Sequence, residues 1–246
     1  MAAIIQEEEE ADALQVPPVG AGRTGECLAG IRQVAGQVKD RPVLAGMIGP
    51  YSLAGRLLDM TEIMILCYEE PEIVETVLEK VTGFLCDYAR AFKEAGADGI
   101  VMAEPAAGLL SPGLFREFSV PYVKRICQAA REAGLALIYH NCGMVEPLLG
   151  DIADIPADGY SFGNAVDMAR VLKEMPGDRI VMGNIDPVGV LRSGTPETVE
   201  KAVTELMERC GRYPNFLLSS GCDIPPVTPL ANLQAFFDSA QAFYGK

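Results

Sequence analysis

The side chains best suited to chemistry lie where predicted strands end and helices begin. His140 is the only histidine of the chain, and Cys142 follows two positions later. In an extended backbone, residues i and i+2 point to the same side, so one cation could contact both side chains. Cys222, at the end of another predicted strand, is the cysteine best placed to supply a third ligand. Imidazole with two thiolates is a zinc ligand set typical of catalytic sites, which keep the fourth position open.

A packing role is the alternative interpretation of the same residues. A lone histidine and scattered cysteines are usually core residues, and His-x-Cys lacks the paired spacing of a zinc finger. The other cysteines fall within helical patterns, which favours packing: Cys27, Cys67, Cys86, Cys127 and Cys210. The residues by themselves therefore leave the metal role open.

Further polar residues follow the predicted strands. Glu104 ends an apolar strand, where it could bind a substrate, serve as an additional metal ligand or cap the next helix. Asp186 precedes a proline, a position typical of turns as well as of sites at strand ends. The candidate substrate-binding residues at these strand ends are Asn141, Asn184 and Asp223.

The elements that position these residues alternate between strand and helix. Short apolar runs predict strands at 42–49, 99–104, 135–140, 158–162, 179–184 and 215–220. Helical spacing predicts helices at 24–38, 52–68, 71–95, 112–133, 144–153, 167–174, 196–211 and 229–243. This alternation indicates parallel βαβ units in a single α/β domain spanning 1–246, with 1–22 a poorly structured acidic segment. Six strands fit an open sheet, whereas a closed (β/α)8 barrel needs eight.

Composition limits the function classes. The formal net charge of −14 disfavours nucleic acid and anionic membranes as partners. The seven scattered cysteines indicate a reducing compartment rather than a disulfide framework. Since no apolar stretch reaches the length of a transmembrane helix, we expect a soluble cytoplasmic protein.

From about Arg23 onward, the chain resembles a known family through a series of motifs in order. They are Pro42–Pro50 with Tyr51-Ser52-Leu53, Glu104-Pro105, Leu114–Phe118 with Pro121-Tyr122, His140–Gly143, Gly183–Pro187 and Ser220–Pro225. The sequence is similar to the uroporphyrinogen decarboxylase superfamily, and within it to the zinc-dependent methylcobamide:thiol (coenzyme M) methyltransferase branch. The resemblance implies a (β/α)8 TIM-type barrel and a Zn²⁺ ion held by His140, Cys142 and Cys222.

The same resemblance implies transfer of a methyl group from a methylated corrinoid, such as methylcobalamin or a corrinoid protein, to a small thiol acceptor such as coenzyme M. Glu104 and Asp186 would position the thiol or receive its proton. One alternative is a non-catalytic paralogue that binds zinc and the corrinoid. The other is a lyase resembling uroporphyrinogen decarboxylase, disfavoured because no arginine cluster is present to hold several carboxylates.

The chain departs from the family at its N-terminus. Family members usually carry a longer N-terminal segment that supplies the first barrel strand, and little precedes Arg23 here. We therefore expect a barrel that lacks its first strand. Because an open sheet edge invites pairing with another chain, we also expect either a homodimer or residues 1–22 folding across the gap.

Overall fold

The computed structural model describes residues 4–245, in which strands alternate with helices. The strands are β1 (Leu44–Ile48), β2 (Gly99–Ala103), β3 (Ala136–Asn141), β4 (Gly159–Phe162), β5 (Ile180–Ile185) and β6 (Phe216–Ser220). The helices are α1 (Glu8–Ala13), α2 (Arg23–Gln37), α3 (Pro50–Leu58), α4 (Glu62–Glu69), α5 (Pro71–Glu94), α6 (Pro112–Phe118), α7 (Val120–Glu132), α8 (Leu149–Ala153), α9 (Met168–Glu174), α10 (Pro196–Cys210) and α11 (Leu230–Tyr244). The predicted α/β class is confirmed.

The described chain divides into two compact units. The first holds the residues up to His140 together with Asp154–Asp158, and the second holds Asn141–Ala153 together with the residues from Gly159 onward. The prediction of a single barrel domain over 1–246 stays a prediction.

In the first unit, β1, β2 and β3 lie side by side and run parallel. Ala103 of β2 is level with both Ile48 of β1 and His140 of β3, so the carboxyl ends of the three strands meet at one edge. Ile100 and Met102 on one face of β2 are fully buried, and the residues on the other face are buried or half-buried, as expected for a parallel strand covered on both faces. This edge carries His140.

In the second unit, β4, β5 and β6 are also parallel and adjacent in that order. Ile185 pairs with Ser220, so β5 and β6 end at the same level, and the backbone N–H of Gly221 donates to the Ile185 carbonyl at 2.7 Å. Cys222 follows two residues after the last residue of β6. Cys222 is thereby placed at the carboxyl end of this sheet.

Contrary to the expectation of a poorly structured segment, the described part of 1–22 contains α1 and buried side chains. Ile5 is 2% exposed and Ala11 is fully buried. The Lys80 ammonium of α5 donates to the carbonyls of Ala11, Asp12 and Leu14, at 2.6 to 3.2 Å. Glu8, Glu9 and Glu10 are exposed to solvent and form the first turn of α1, where carboxylates stabilise a helix.

Two predicted helices are each divided. The predicted helix 52–68 is α3 and α4, separated at Asp59, whose φ of 73° is in the left-handed region. The predicted helix 112–133 is α6 and α7. Pro121 lies in the first turn of α7, because proline has no N–H to donate to a hydrogen bond in a helix interior. Neither division changes which strands the helices connect.

Residues 4–245 contain all six predicted strands, two fewer than a complete (β/α)8 barrel contains. The seven cysteines are free, as expected for a chain that is not built on disulfides. Within residues 4–245, every helix is too short or too polar to cross a membrane.

Candidate metal centre

The first two predicted ligands are placed by the end of β3. His140 is the penultimate residue of this strand and is 9% exposed, and its carbonyl accepts a hydrogen bond from the Glu104 N–H at 2.9 Å. Beyond the strand, the Asn141 side-chain oxygen accepts from the Gly143 N–H at 2.9 Å. This Asx-type turn ends the extended backbone and presents the Cys142 side chain at its centre.

The sequence-predicted ligands come together. The His140 imidazole nitrogen and the Cys142 and Cys222 sulfurs all lie within 4.8 Å of one another. Zinc binds thiolate sulfur at about 2.3 Å and imidazole nitrogen at about 2.0 Å, so ligands of one tetrahedral ion lie about 3.5 to 4 Å apart. The three ligand atoms, within 4.8 Å of one another, approach this arrangement, and a tetrahedral ion held by them would keep a fourth position open for a substrate.

The surroundings of Cys142 act on the ionisation of its thiol. Burial raises the pKa of the Cys142 thiol, and the adjacent Cys222 thiol and the Asp223 carboxylate raise it further. Forming a second thiolate next to the first is therefore unfavourable when no cation is bound. A cation between the sulfurs removes this penalty, because a coordinating thiol is deprotonated by the ion.

Glu104 is not a member of this group of three. Its carboxylate accepts hydrogen bonds from the backbone N–H groups of Tyr51 at 3.0 Å and Ser52 at 2.6 Å, at the start of α3. Full burial raises the pKa of Glu104 to about 7, against the opposing effect of these hydrogen bonds. The sequence left substrate binding, metal binding and helix capping open for Glu104. The structure shows a capping contact, but at α3 rather than at the helix that follows Glu104.

Asp186 and Asn184 both engage the backbone in the second unit. The Asp186 carboxylate caps the π-helical turn Pro187–Arg192, accepting from the N–H groups of Val188 at 2.8 Å and Gly189 at 2.9 Å. The Asn184 amide donates to the carbonyls of Gly163 at 2.9 Å and Val166 at 2.8 Å. Both residues also line a cavity of about 570 Å³.

Sequence reasoning missed the residues that surround the two cysteines. Gly163, directly after β4, lies against the Cys142 backbone, and Asn164 lies against Gly221, the residue before Cys222. The available signal was a glycine at a strand end, which often marks a close approach of two backbones. The partner of that approach is distant in sequence, so the pattern alone did not identify it.

Parallel strands that alternate with helices, with a His/Cys/Cys group at their carboxyl ends, define an α/β protein of the kind that places its site at the strand ends. The family model for uroporphyrinogen decarboxylase (URO-D) matches residues 1–243. The chain belongs to the uroporphyrinogen decarboxylase family.

Named relatives come from two groups within this family. The methylcobamide:CoM methyltransferase MtbA of Methanosarcina acetivorans is 30% identical over 243 residues, which cover 98% of this chain and 70% of MtbA. The chloroplastic uroporphyrinogen decarboxylase 2 of Arabidopsis thaliana is 30% identical over 235 residues, covering 92% of this chain and 58% of that enzyme. A solved methyltransferase structure from Methanosarcina mazei matches 99% of this chain and 72% of its own, with a TM-score of 0.88 and 26% identity.

Proposed function

We propose that this chain is a methyltransferase that moves a methyl group from a methylated corrinoid to a small thiol. The observation that carries the proposal is the group of His140, Cys142 and Cys222, whose ligand atoms lie within 4.8 Å of one another at strand ends. The name of the MtbA relative, a methylcobamide:CoM methyltransferase, supplies the donor and acceptor classes.

In this proposal the three side chains hold Zn²⁺. The bound ion supplies one thing: it keeps an acceptor thiol deprotonated, and so nucleophilic, at neutral pH. In the transfer, the acceptor sulfur forms a bond to the methyl carbon while the carbon–cobalt bond breaks, leaving its electron pair on the corrinoid cobalt. The acceptor must lose one proton in the course of this reaction.

The protein residues orient the reactants and take that proton. We assign proton transfer to Asp186, whose half-buried side chain directly follows β5, at the carboxyl end of that strand. Asn141 and Asp223 flank the two thiols in sequence and are proposed to contact the substrates. Glu104 is proposed to act on the reaction through His140, because its backbone N–H donates to the His140 carbonyl and its carboxylate fixes the start of α3.

The test is the absorbance change of methylcobalamin on mixing with the zinc-loaded protein and a panel of thiols that includes coenzyme M, a neutral thiol and a cationic thiol. We expect at least one thiol to accelerate demethylation. The Cys222→Ala variant removes a ligand, so its zinc content and its rate of demethylation should fall together. We expect a loss of at least about tenfold, since altering even the partners of metal ligands typically costs about 10- to 100-fold.

The matched control is Cys27→Ala, which removes an exposed cysteine of α2 and should keep both zinc and rate. If no thiol accelerates demethylation above the zinc-free protein, the methyltransferase proposal is wrong. Zinc binding without turnover would then favour the non-catalytic metal- and corrinoid-binding paralogue.

A further inference from the structure

The backbone of Gly163 lies so close to Cys142 that no side chain fits between them. A Cβ atom at Gly163 would lie 2.6 Å from Cys142 Cα, 2.7 Å from its carbonyl oxygen and 2.9 Å from its carbonyl carbon. All three are backbone atoms, so a side-chain rotation cannot relieve the overlap. The Gly163 N–H also donates to the Asn141 carbonyl at 3.2 Å, which fixes this approach from the neighbouring residue.

The next residue makes the same kind of approach to the segment that carries Cys222. A Cβ atom at Gly221 would lie 2.7 Å from the backbone nitrogen of Asn164 and 3.3 Å from its side-chain oxygen. Gly221 is buried and immediately precedes Cys222. The dipeptide Gly163-Asn164 therefore lies against the backbone of both cysteine-bearing segments, although these segments are distant in sequence.

One side chain of β5 holds this dipeptide in place. The Asn184 amide nitrogen donates to the carbonyls of Gly163 and Val166, at 2.9 Å and 2.8 Å. These two bonds use both amide hydrogens of Asn184 on the loop that follows β4. Movement of the loop away from the cysteines would break both bonds.

We propose that Gly163-Asn164 is a spacer that sets the relative position of the Cys142 and Cys222 sulfurs, and that Gly163 and Asn184 are positioning residues of the metal centre. The inference rests on the metal centre in the proposed function and assigns its geometry to residues outside the group of three ligands. Outer partners of this kind typically change metal affinity by about 10- to 100-fold when they are altered.

The test is a titration of the metal-free protein with Co²⁺, whose near-ultraviolet charge-transfer absorption reports thiolate ligands. Gly163→Ala should lower the Co²⁺ affinity at least tenfold and reduce the charge-transfer intensity per bound ion. Asn184→Ala should have the same effect to a smaller extent. Circular dichroism establishes that each variant is folded, so that a change in the spectrum reports ligand geometry rather than loss of structure.

Each variant has a matched control in the same unit. Gly150→Ala changes a helical glycine whose Cβ would have no atom within 4 Å. Asn215→Ala removes an amide that also donates to two loop carbonyls, those of Pro176 at 3.4 Å and Arg179 at 2.9 Å, away from the cysteines. Both controls should bind Co²⁺ like the wild type and give its spectrum.

The inference is overturned if folded Gly163→Ala binds Co²⁺ with the affinity and spectrum of the wild type. If Gly163→Ala does not fold, the comparison of Asn184→Ala with Asn215→Ala tests the inference. Equal Co²⁺ affinity and equal spectra of these two variants would overturn it. A wild-type protein without a thiolate spectrum refutes the metal centre and the inference together. Wild-type binding with the expected variant losses, but no methyl transfer to any thiol, refutes the methyltransferase function and supports the spacer.

Discussion

At the scale of single residues, the buried carboxyl group of Glu104 connects three elements around His140. Its side chain caps α3, its backbone extends β2, and its N–H donates to the His140 carbonyl. Gly49 makes this arrangement possible, since a Cβ at that position would lie 2.4 Å from a Glu104 carboxylate oxygen. A carboxyl group in such a site is stable when neutral, and its ionisation opposes folding.

We expect Glu104→Gln to reduce the pH dependence of folding stability. The pKa of Glu104 is raised to about 7 in the folded protein, so the folded state favours the neutral carboxyl group. The stability gained from this preference is complete below about pH 4.5 and is lost as the pH rises through 7. The loss corresponds to about 3 kcal/mol in the free energy of unfolding. Urea unfolding at pH 5 and pH 8, with a chelator present, should show a smaller decrease for the variant than for the wild type.

The control for this measurement is Glu197→Gln, which changes a fully exposed carboxyl group of α10. It should retain the wild-type difference between the two pH values. An equal decrease in the wild type and in Glu104→Gln would contradict the raised pKa of Glu104.

The sequence predicted the grouping of His140, Cys142 and Cys222 better than it predicted the contacts of Glu104. The spacing of His140 and Cys142 is local, and the two-residue period of a strand is enough to place both side chains together. The bonds from Glu104 to Tyr51 and Ser52 span more than 50 residues of sequence. No local pattern carries such a pairing, so capping of α3 could not be read from the residues around Glu104.

At the scale of elements, the attachment of α1 to α5 is the main feature that pattern reading did not predict. Lys80 offers three N–H donors, and the three carbonyls it contacts lie in or just after the last turn of α1, where helical carbonyls commonly need partners outside the helix. The positive charge also interacts favourably with the negative end of the helix dipole. A single lysine of α5 thus fixes the end of α1.

We expect Lys80→Ala to release α1 while the remaining elements stay folded. Amide hydrogens of residues 8–14 should exchange faster, and the free energy of unfolding should fall by about 1 to 3 kcal/mol, the cost of losing charged hydrogen bonds. Hydrogen exchange read by mass spectrometry measures the first effect and urea unfolding the second. Lys93→Ala, on the same helix and with one carbonyl partner, Gly134 at 3.1 Å, should leave exchange in 8–14 unchanged. Unchanged exchange in Lys80→Ala would contradict the anchor.

The helix boundaries show where the sequence could have been read further. Pro121 marks the start of α7 within a continuous apolar pattern, and a stricter use of proline as a helix breaker predicts the division from α6. The break at Asp59 has no comparable signal, because aspartate is only one of several residues that tolerate a left-handed conformation. Strand boundaries were more reliable, since each apolar run is short and bounded by turn residues.

At the scale of the whole molecule, the six strands and their parallel direction follow from the alternating pattern, while the strand order and the division into two compact units do not. Parallel strands need helical connections, so the order of elements in the sequence largely determines their class of fold. Which residues group into one compact unit depends on side-chain packing between residues distant in sequence, which periodicity does not encode. The ligands of the proposed metal centre come from two parts of the chain that are distant in sequence, so a bound ion would stabilise the folded chain relative to the unfolded chain.

We expect zinc to stabilise the folded chain strongly and Cys222→Ala to abolish the effect. The unfolded chain keeps His140 and Cys142 close together, because they are two residues apart, but it does not hold Cys222 near them. The ion therefore binds the folded state far more tightly, which at a thousandfold excess over the Kd contributes about 4 kcal/mol. For a chain of this length, that corresponds to a rise in Tm of about 10 °C. Thermal unfolding with zinc and with chelator measures the shift, and Cys27→Ala should retain it. Two results would show that Cys222 does not bind the ion: a wild-type Tm that is the same with zinc and with chelator, or a zinc-dependent rise in Tm for Cys222→Ala that equals that of the wild type. His140 and Cys142 alone would bind the ion equally well in the unfolded and folded chain, so they would give no shift.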